Sequence, residues 1–175
     1  LNPIANGYSL DYDPSVNFND YQQVDVTISA SDLAPVPNSF SYNYFFRTND
    51  TNPPYTNGYN PTPGDINVPV NTDVVFHVLD DGSGVNLMTV AANVNGVLYA
   101  NGIPGFSFVG TPADYTIIIN PATNFPYNTV IPVTLYATDL DGNVMTPFSY
   151  SFTTETGADL LPPYVQNENP QPGEV

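Results

Sequence analysis

The 175-residue sequence has no cysteine and no tryptophan, one histidine, and only one basic residue, Arg47. Without cysteine there is no disulfide, no thiolate nucleophile and no cysteine-ligated zinc, and thiols carry no information about the redox compartment. Without lysine there is no Schiff base. A Ser-His-Asp triad would have to be built on His77, and a multi-histidine metal centre cannot form. One arginine makes no basic patch, which excludes nucleic acid and a polybasic membrane anchor. No run reaches the 18 or so apolar residues of a membrane span.

What is present is acid, turn residues and enough apolar surface for a core. Seventeen acids give a net charge of −16, but only 10% of residues are charged, so the imbalance reflects missing bases. Fourteen of the acids are Asp and three are Glu, with 19 prolines and 12 glycines. Asp, Pro and Gly favour turns over helices, so the composition describes short strands and many turns, an all-β chain. The chain begins at Leu1 with no initiator Met and no basic-apolar leader, as expected of a processed or excised segment.

Self-comparison adds organisation. Tyr8–Leu33 aligns with Tyr115–Leu140 at an offset of 107 with nine of 26 positions identical, among them Pro14/Pro121, Phe18/Phe125 and Asp32/Asp139. Phe40-Ser41-Tyr42 then matches Phe148-Ser149-Tyr150 one residue further on. PPYTNGYNPTPGDI from Pro53 matches PPYVQNENPQPGEV from Pro162 with seven of 14 identical. A unit of about 107–109 residues in tandem is the reading. Residues 1–50 are then the C-terminal half of one unit, 51–160 a complete unit, and 161–175 the opening of a third.

Strand patterns fill the unit. Val74, Phe76 and Val78 alternate with Val75, His77 and Leu79, which predicts a strand ending at Asp80. Thr89–Val94 reads as a strand, and Asn95-Gly96 as a hairpin turn before Val97-Leu98-Tyr99. Tyr115–Ile119 is a short strand stopped by Asn120-Pro121. Ile131, Val133, Leu135 and Ala137 form an inward face, as do Val24, Val26, Ile28 and Ala30 in the earlier copy, and the last strand turns Phe148, Tyr150 and Phe152 inward. About seven short strands in a hundred residues predict an immunoglobulin-like β-sandwich, with a jelly roll or barrel as the alternative.

The string VLDDGSGVNLMTVAANVNG, a Tyr-led strand, VTLYATDLDGN, YSFTTE and a fresh PPY opening resemble the bacterial Ig-like tandem repeats of large secreted and cell-surface proteins. The resemblance implies a spacer or stalk in an adhesin or surface fibre, extracellular, sometimes rigidified by calcium. The first copy departs from it, with Ala34-Pro35-Val36-Pro37 where the second has Asp141-Gly142-Asn143.

Two acidic clusters could carry chemistry, Asp80-Asp81-Gly82-Ser83-Gly84 and Asp139-Leu140-Asp141-Gly142-Asn143. In such a sandwich both loops lie at the end that receives the module's N-terminus, where Asp50 also arrives. Asp50, Asp80, Asp81, Asp139 and Asp141 are therefore candidate calcium ligands at a junction between units. The competing reading is that these residues only close turns, since EF-hand spacing is absent. His77 in mid-strand reads as a face residue. The acids fall on turns, with Glu155, Glu168 and Glu174 at or beyond the end of the complete unit, so a paired-carboxylate enzyme is not expected. Tyr55 and Tyr59 could stack on a sugar or pack a proline-rich linker. Asn49-Asp50-Thr51 is the one N-glycosylation sequon.

Three functions remain open: a structural stalk partnered by neighbouring repeats, a carbohydrate-binding module for surface glycans, and a filament subunit. In the last, the opening segment 161–175 joins a second copy of the chain by strand donation.

Overall fold

The computed structural model describes residues 2–5 and 7–157, so the expected opening segment 161–175 lies outside them. The chain is all-β. Strands β1 (Asn2–Ile4), β2 (Gly7–Ser9), β3 (Gln23–Ser31) and β4 (Ser39–Arg47) form two separate antiparallel hairpins. From there the chain runs through β5 (Tyr55–Asn60), β6 (Val74–Leu79), β7 (Ala91–Val94), β8 (Val97–Ala100), β9 (Phe106–Thr111), β10 (Asp114–Ile119), β11 (Val130–Tyr136) and β12 (Phe148–Thr153). These eight strands make two four-stranded antiparallel sheets, ordered β5-β6-β10-β9 and β12-β11-β7-β8. No helix among the described residues is long and apolar enough to cross a membrane.

The sandwich follows from period-two alternation. In β6, Val74, Phe76 and Val78 are buried while Val75, His77 and Leu79 are half-buried on the outer face. Val74, Phe76, Val78, Ile117 and Ile119 from one sheet meet Val90, Ala92, Val94, Ile131, Val133, Leu135 and Phe152 from the other in a single core. Burying one such side chain contributes about 1.5–3 kcal/mol, so this layer is what holds the sheets face to face. Asn95 (φ 51°) and Gly96 (φ 84°) give the β7–β8 hairpin a turn with two left-handed residues, matching strand twist. Pro132 sits in an inner strand, where its carbonyl accepts from Asn95 N just past the end of β7.

Three local expectations are corrected. Residues 55–153 form eight strands rather than about seven, and two of them are not among the strands expected from the sequence: β5, which falls in the expected proline-rich linker, and β9, whose side chains are mostly exposed. The strand expected from Thr89 begins at Ala91, because Leu87–Thr89 forms a 3-10 turn whose first amides are capped by Asn86, Oδ1 accepting from Met88 N at 3.2 Å. On β12 only Phe152 is sealed. Tyr150 packs against the core while Phe148 is exposed, and both rings lie against Tyr59, Phe148 stacked at 4.9 Å and Tyr150 tilted at 5.3 Å between centroids, because β12 is an edge strand.

The N-terminal hairpins match the last four strands closely. Adding 107 to the β1·β2 pairs Asn2↔Ser9, Pro3↔Tyr8 and Ile4↔Gly7 gives the β9·β10 pairs Val109↔Thr116, Gly110↔Tyr115 and Thr111↔Asp114. In β3·β4, Val24 faces Phe46 as Ile131 faces Phe152 in β11·β12. Thr48 Oγ1 donates to Asn19 O at 2.7 Å and accepts from Gln22 N at 2.7 Å. Thr154 Oγ1 donates to Pro126 O at 2.7 Å and accepts from Thr129 N at 2.9 Å. By this register Tyr42–Phe46 superposes on Phe148–Phe152, two residues away from the alignment of Phe40-Ser41-Tyr42 with that strand.

Candidate functional site

Three chain segments meet at one end of the sandwich: the linker 49–52, the loop after β6 and the loop between β11 and β12. Asp50 is 4%, Asp80 4% and Asp139 1% exposed, and an oxygen from each carboxylate lies within 4.8 Å of the other two.

Each carboxylate is placed by short-range turn chemistry. Asp80 Oδ1 accepts from Gly82 N (3.0 Å) and Gly84 N (2.7 Å), an Asx turn that folds the loop back on the strand end. Gly84 adopts φ 99° against Pro112, and a side chain at Gly82 would occupy the space of the Asp50 carboxylate. Asp139 accepts from Asn143 N (2.7 Å) and Asn143 Nδ2 (2.6 Å). Asp50 accepts from Asn52 N (3.1 Å) and Ser83 N (2.6 Å), so the linker is tied to the β6 loop directly. Val85 bridges to Asp139, joining the two loops through backbone.

The charges oppose each other. Burial pushes the Asp80 carboxyl upward, the Gly84 and Gly82 amides pull it back, and the negative Asp50 and Asp139 push again, leaving it raised. At Asp50 burial also opposes ionisation, but the amides of Ser83 and Asn52 outweigh it and the carboxyl is lowered. On the outer sheet face His77 Nδ1 lies 2.9 Å from Asp114 Oδ1, a hydrogen-bonded contact. Hard oxygens from three loops, buried and without a balancing cation, are a donor set suited to a hard divalent ion such as calcium.

The other two candidate ligands stand apart from this trio. Asp141 is exposed on the rim, where its Oδ2 accepts from Asp50 N at 3.0 Å, and with Asn49 and Asp50 it lines a recess of about 240 Å3. Asp81 is exposed and accepts from the Tyr55 hydroxyl at 3.4 Å, because successive residues at a strand end point to opposite sides. Sequence reasoning missed Asp20 and Asn143. Asp20 accepts from Thr51 N and Oγ1 and from Asn52 Nδ2, fastening the linker to the first hairpin region. Asn143 Nδ2 also donates to Asp50 O at 3.0 Å. Asn143 was visible in the DGN turn; Asp20 sits in a loop with no motif.

The remaining candidates are placed as follows. His77 Nδ1 meets Asp114, and its ring edge packs on Gly58. Tyr59 is half-buried, its ring stacked on Phe148 and its hydroxyl donating to Thr56 O at 2.7 Å, so its face is occupied from within. Tyr55 remains exposed. Pro53, Pro54, Tyr55, Tyr59 and Phe148 border a shallow groove of about 340 Å3.

No family model and no curated protein matches the chain. Among solved structures it is similar to the SrpA adhesin of Streptococcus sanguinis, in the crystal structure of a point mutant. The identity is 18% and the TM-score 0.41, over 66% of this chain and 64% of that one. A likeness this shallow carries no functional argument.

Proposed function

We propose that the chain is part of an extracellular or cell-surface stalk built from tandem Ig-like units, with calcium at Asp50, Asp80 and Asp139 stiffening the junction between them. One observation carries this reading: the junction is held from both sides. Tyr21 N donates to Asn49 O at 3.1 Å and Asp20 grips Thr51 and Asn52 from the first unit. Ser83 and Asn143 grip Asp50 from the second. A connection pinned at consecutive residues by both neighbours transmits orientation, which a spacer needs and a flexible tether lacks.

Further support comes from the matched hairpin registers of the two copies. The strand order β5-β6-β10-β9 against β12-β11-β7-β8 is also the A-B-E-D against G-F-C order of an immunoglobulin-like sandwich with one added edge strand. The role proposed is structural. An ion among three carboxylates would relieve their repulsion only in the folded junction, so binding adds to stability.

The test is thermal unfolding of the 175-residue chain in 1 mM calcium against chelator. Saturation at about a hundred times the dissociation constant corresponds to about 2.7 kcal/mol, a rise of several degrees. The rise should vanish in Asp139→Asn. An unchanged melting temperature would return the cluster to turn closure and remove calcium from the proposal.

A further inference from the structure

The hairpin β3·β4 has one polar and one apolar face. Directly opposed residues share a face, so Val24, Val26, Ile28 and Ala30 lie with Phe46, Tyr44, Tyr42 and Phe40, without a charged group among them. Between this face and the segment carrying Leu10, Tyr12 and Phe18 runs an open groove of about 620 Å3.

The complete unit shows what such a face is for. Phe18 meets Phe46 edge-on at 5.7 Å and 76°, and Phe125 meets Phe152 at 5.7 Å and 75°. Yet Phe46 is 40% exposed and Phe152 1%, while Tyr12 is 81% exposed and its counterpart Ile119 0%. The difference is cover. In the complete unit Val74, Phe76 and Val78 on β6, with Ala92 and Val94 on β7 and Val90 just before it, close the core. β6 also pairs with β10 and β7 with β11, edges that are open on β2 and β3. β2 accordingly stops at Ser9, whereas β10 runs to Ile119 along β6.

We infer that the β3·β4 face and its groove are the receiving half of a second sandwich, whose occupant is a half-unit of the same type as residues 51–107. This rests on the repeat reading above but not on a stalk role or on calcium. A half-unit of that type fits one apolar face and two open edges at once, because its β6-like and β7-like strands would pair with β2 and β3 while their apolar sides fill the groove. The chain holds two copies of the receiving half but one of the covering half, which its own sandwich already uses. The occupant is therefore a further segment of this type, outside residues 1–175. A strand like 161–175 alone would not serve: its counterpart pairs with β6 through β5 and bonds β12 at Gly64 and Asp65, so it could reach the β4 edge but would leave the edges of β2 and β3 and the groove unfilled.

The experiment extends the full chain at its N-terminus with a second copy of residues 51–107, and compares amide hydrogen exchange with the unextended chain. Expected is slowing of the Gln23–Ser31 amides by at least about a hundredfold, as for strands brought into a core, together with loss of fluorescence of a hydrophobic dye. Phe76→Asp with Val78→Asp in the added copy should abolish both effects, while the amides of Val130–Tyr136 report that the original sandwich is intact. Unchanged exchange across β3 with that sandwich intact would overturn the inference. So would a concentration-dependent dimer of the unextended chain that Val26→Asp dissolves, since the face would then belong to a second copy. Failure of the calcium part of the proposed function is read separately, in the melting response to calcium, which does not involve this face.

Discussion

The β3·β4 and β11·β12 hairpins share a cross-strand register, a threonine clamp and an aromatic pair, yet one is open to solvent and the other is sealed. Tyr21 and Asn128 even adopt the same left-handed turn, at φ 46° and 49°. Local hairpin geometry is thus set by the strands and turns themselves, through ladder bonds and side-chain caps that need no second sheet. Burial is not. Val24 and Ile131 occupy equivalent places, and only Ile131 has an opposing layer to exclude water from it. A two-stranded hairpin without a packed face is marginal in water, so the two halves should differ far more in stability than in shape.

The largest contrast is expected from a charge placed on the two faces. Val133→Asp buries an uncompensated carboxylate at a fully sealed site and should cost at least about 3–5 kcal/mol, enough to unfold the sandwich. Val26→Asp lies at the equivalent open position and should leave the main melting transition of the sandwich within about 0.5 kcal/mol of the parent. Circular dichroism melts of both variants check this, and equal destabilisation would show that the β3·β4 face is covered.

A smaller contrast comes from the threonine clamp. Thr154→Val removes a hydroxyl on a residue that is itself 2% exposed and leaves Thr129 N and Pro126 O without their partner, a loss of about 1–3 kcal/mol in denaturant unfolding. Thr48→Val removes the same bonds where water can replace them, and should cost less than about 1 kcal/mol.

The smallest effect sits at the junction and has a sign that follows from the shifted carboxyls. Asp80 is raised above its ordinary 3.8, so the native state holds its proton more tightly than the unfolded chain. Its contribution is fully present below that value and is lost as pH rises through the folded-state value. Asp50 is lowered, and its contribution is present above 3.8 and is lost as pH falls through the folded-state value. In chelator at pH 7, Asp80→Asn should therefore stabilise by about 0.5–1 kcal/mol, because the amide oxygen can still accept from Gly82 and Gly84 while one negative charge is removed. The same variant should lose any gain from calcium. Denaturant melts at pH 7 with chelator and with calcium check both signs.

Legibility in the sequence varied with the range of the interaction. β6, the inward face of β11 and the Asn95-Gly96 turn were readable because alternation and turn chemistry act over a few residues. β9 was not, since Gly110 and its exposed side chains give no alternation to read. The pairing of Phe40–Tyr42 with Phe148–Tyr150 was off by two because aromatics recur at every second position in both strands, and a two-residue slip keeps the same face inward. Which acids gather was partly readable: the turns holding Asp80 and Asp139 are local. That Asp81 faces Tyr55 and that Asp20 reaches Thr51 depend on where strands and linker end up in space.

From sequence alone, the missing bases and cysteines, the turn-rich composition and the period-two runs determined an all-β chain with acidic loops. Those properties belong to single residues and their near neighbours. Only the tertiary structure decided which apolar face is buried and which stays open, and which three of five aspartates converge. Both depend on segments far apart in the chain being brought together by the packing of one sheet on another. Asp50 lies 89 residues from Asp139, and no local pattern encodes the 4.8 Å that their carboxylate oxygens come within.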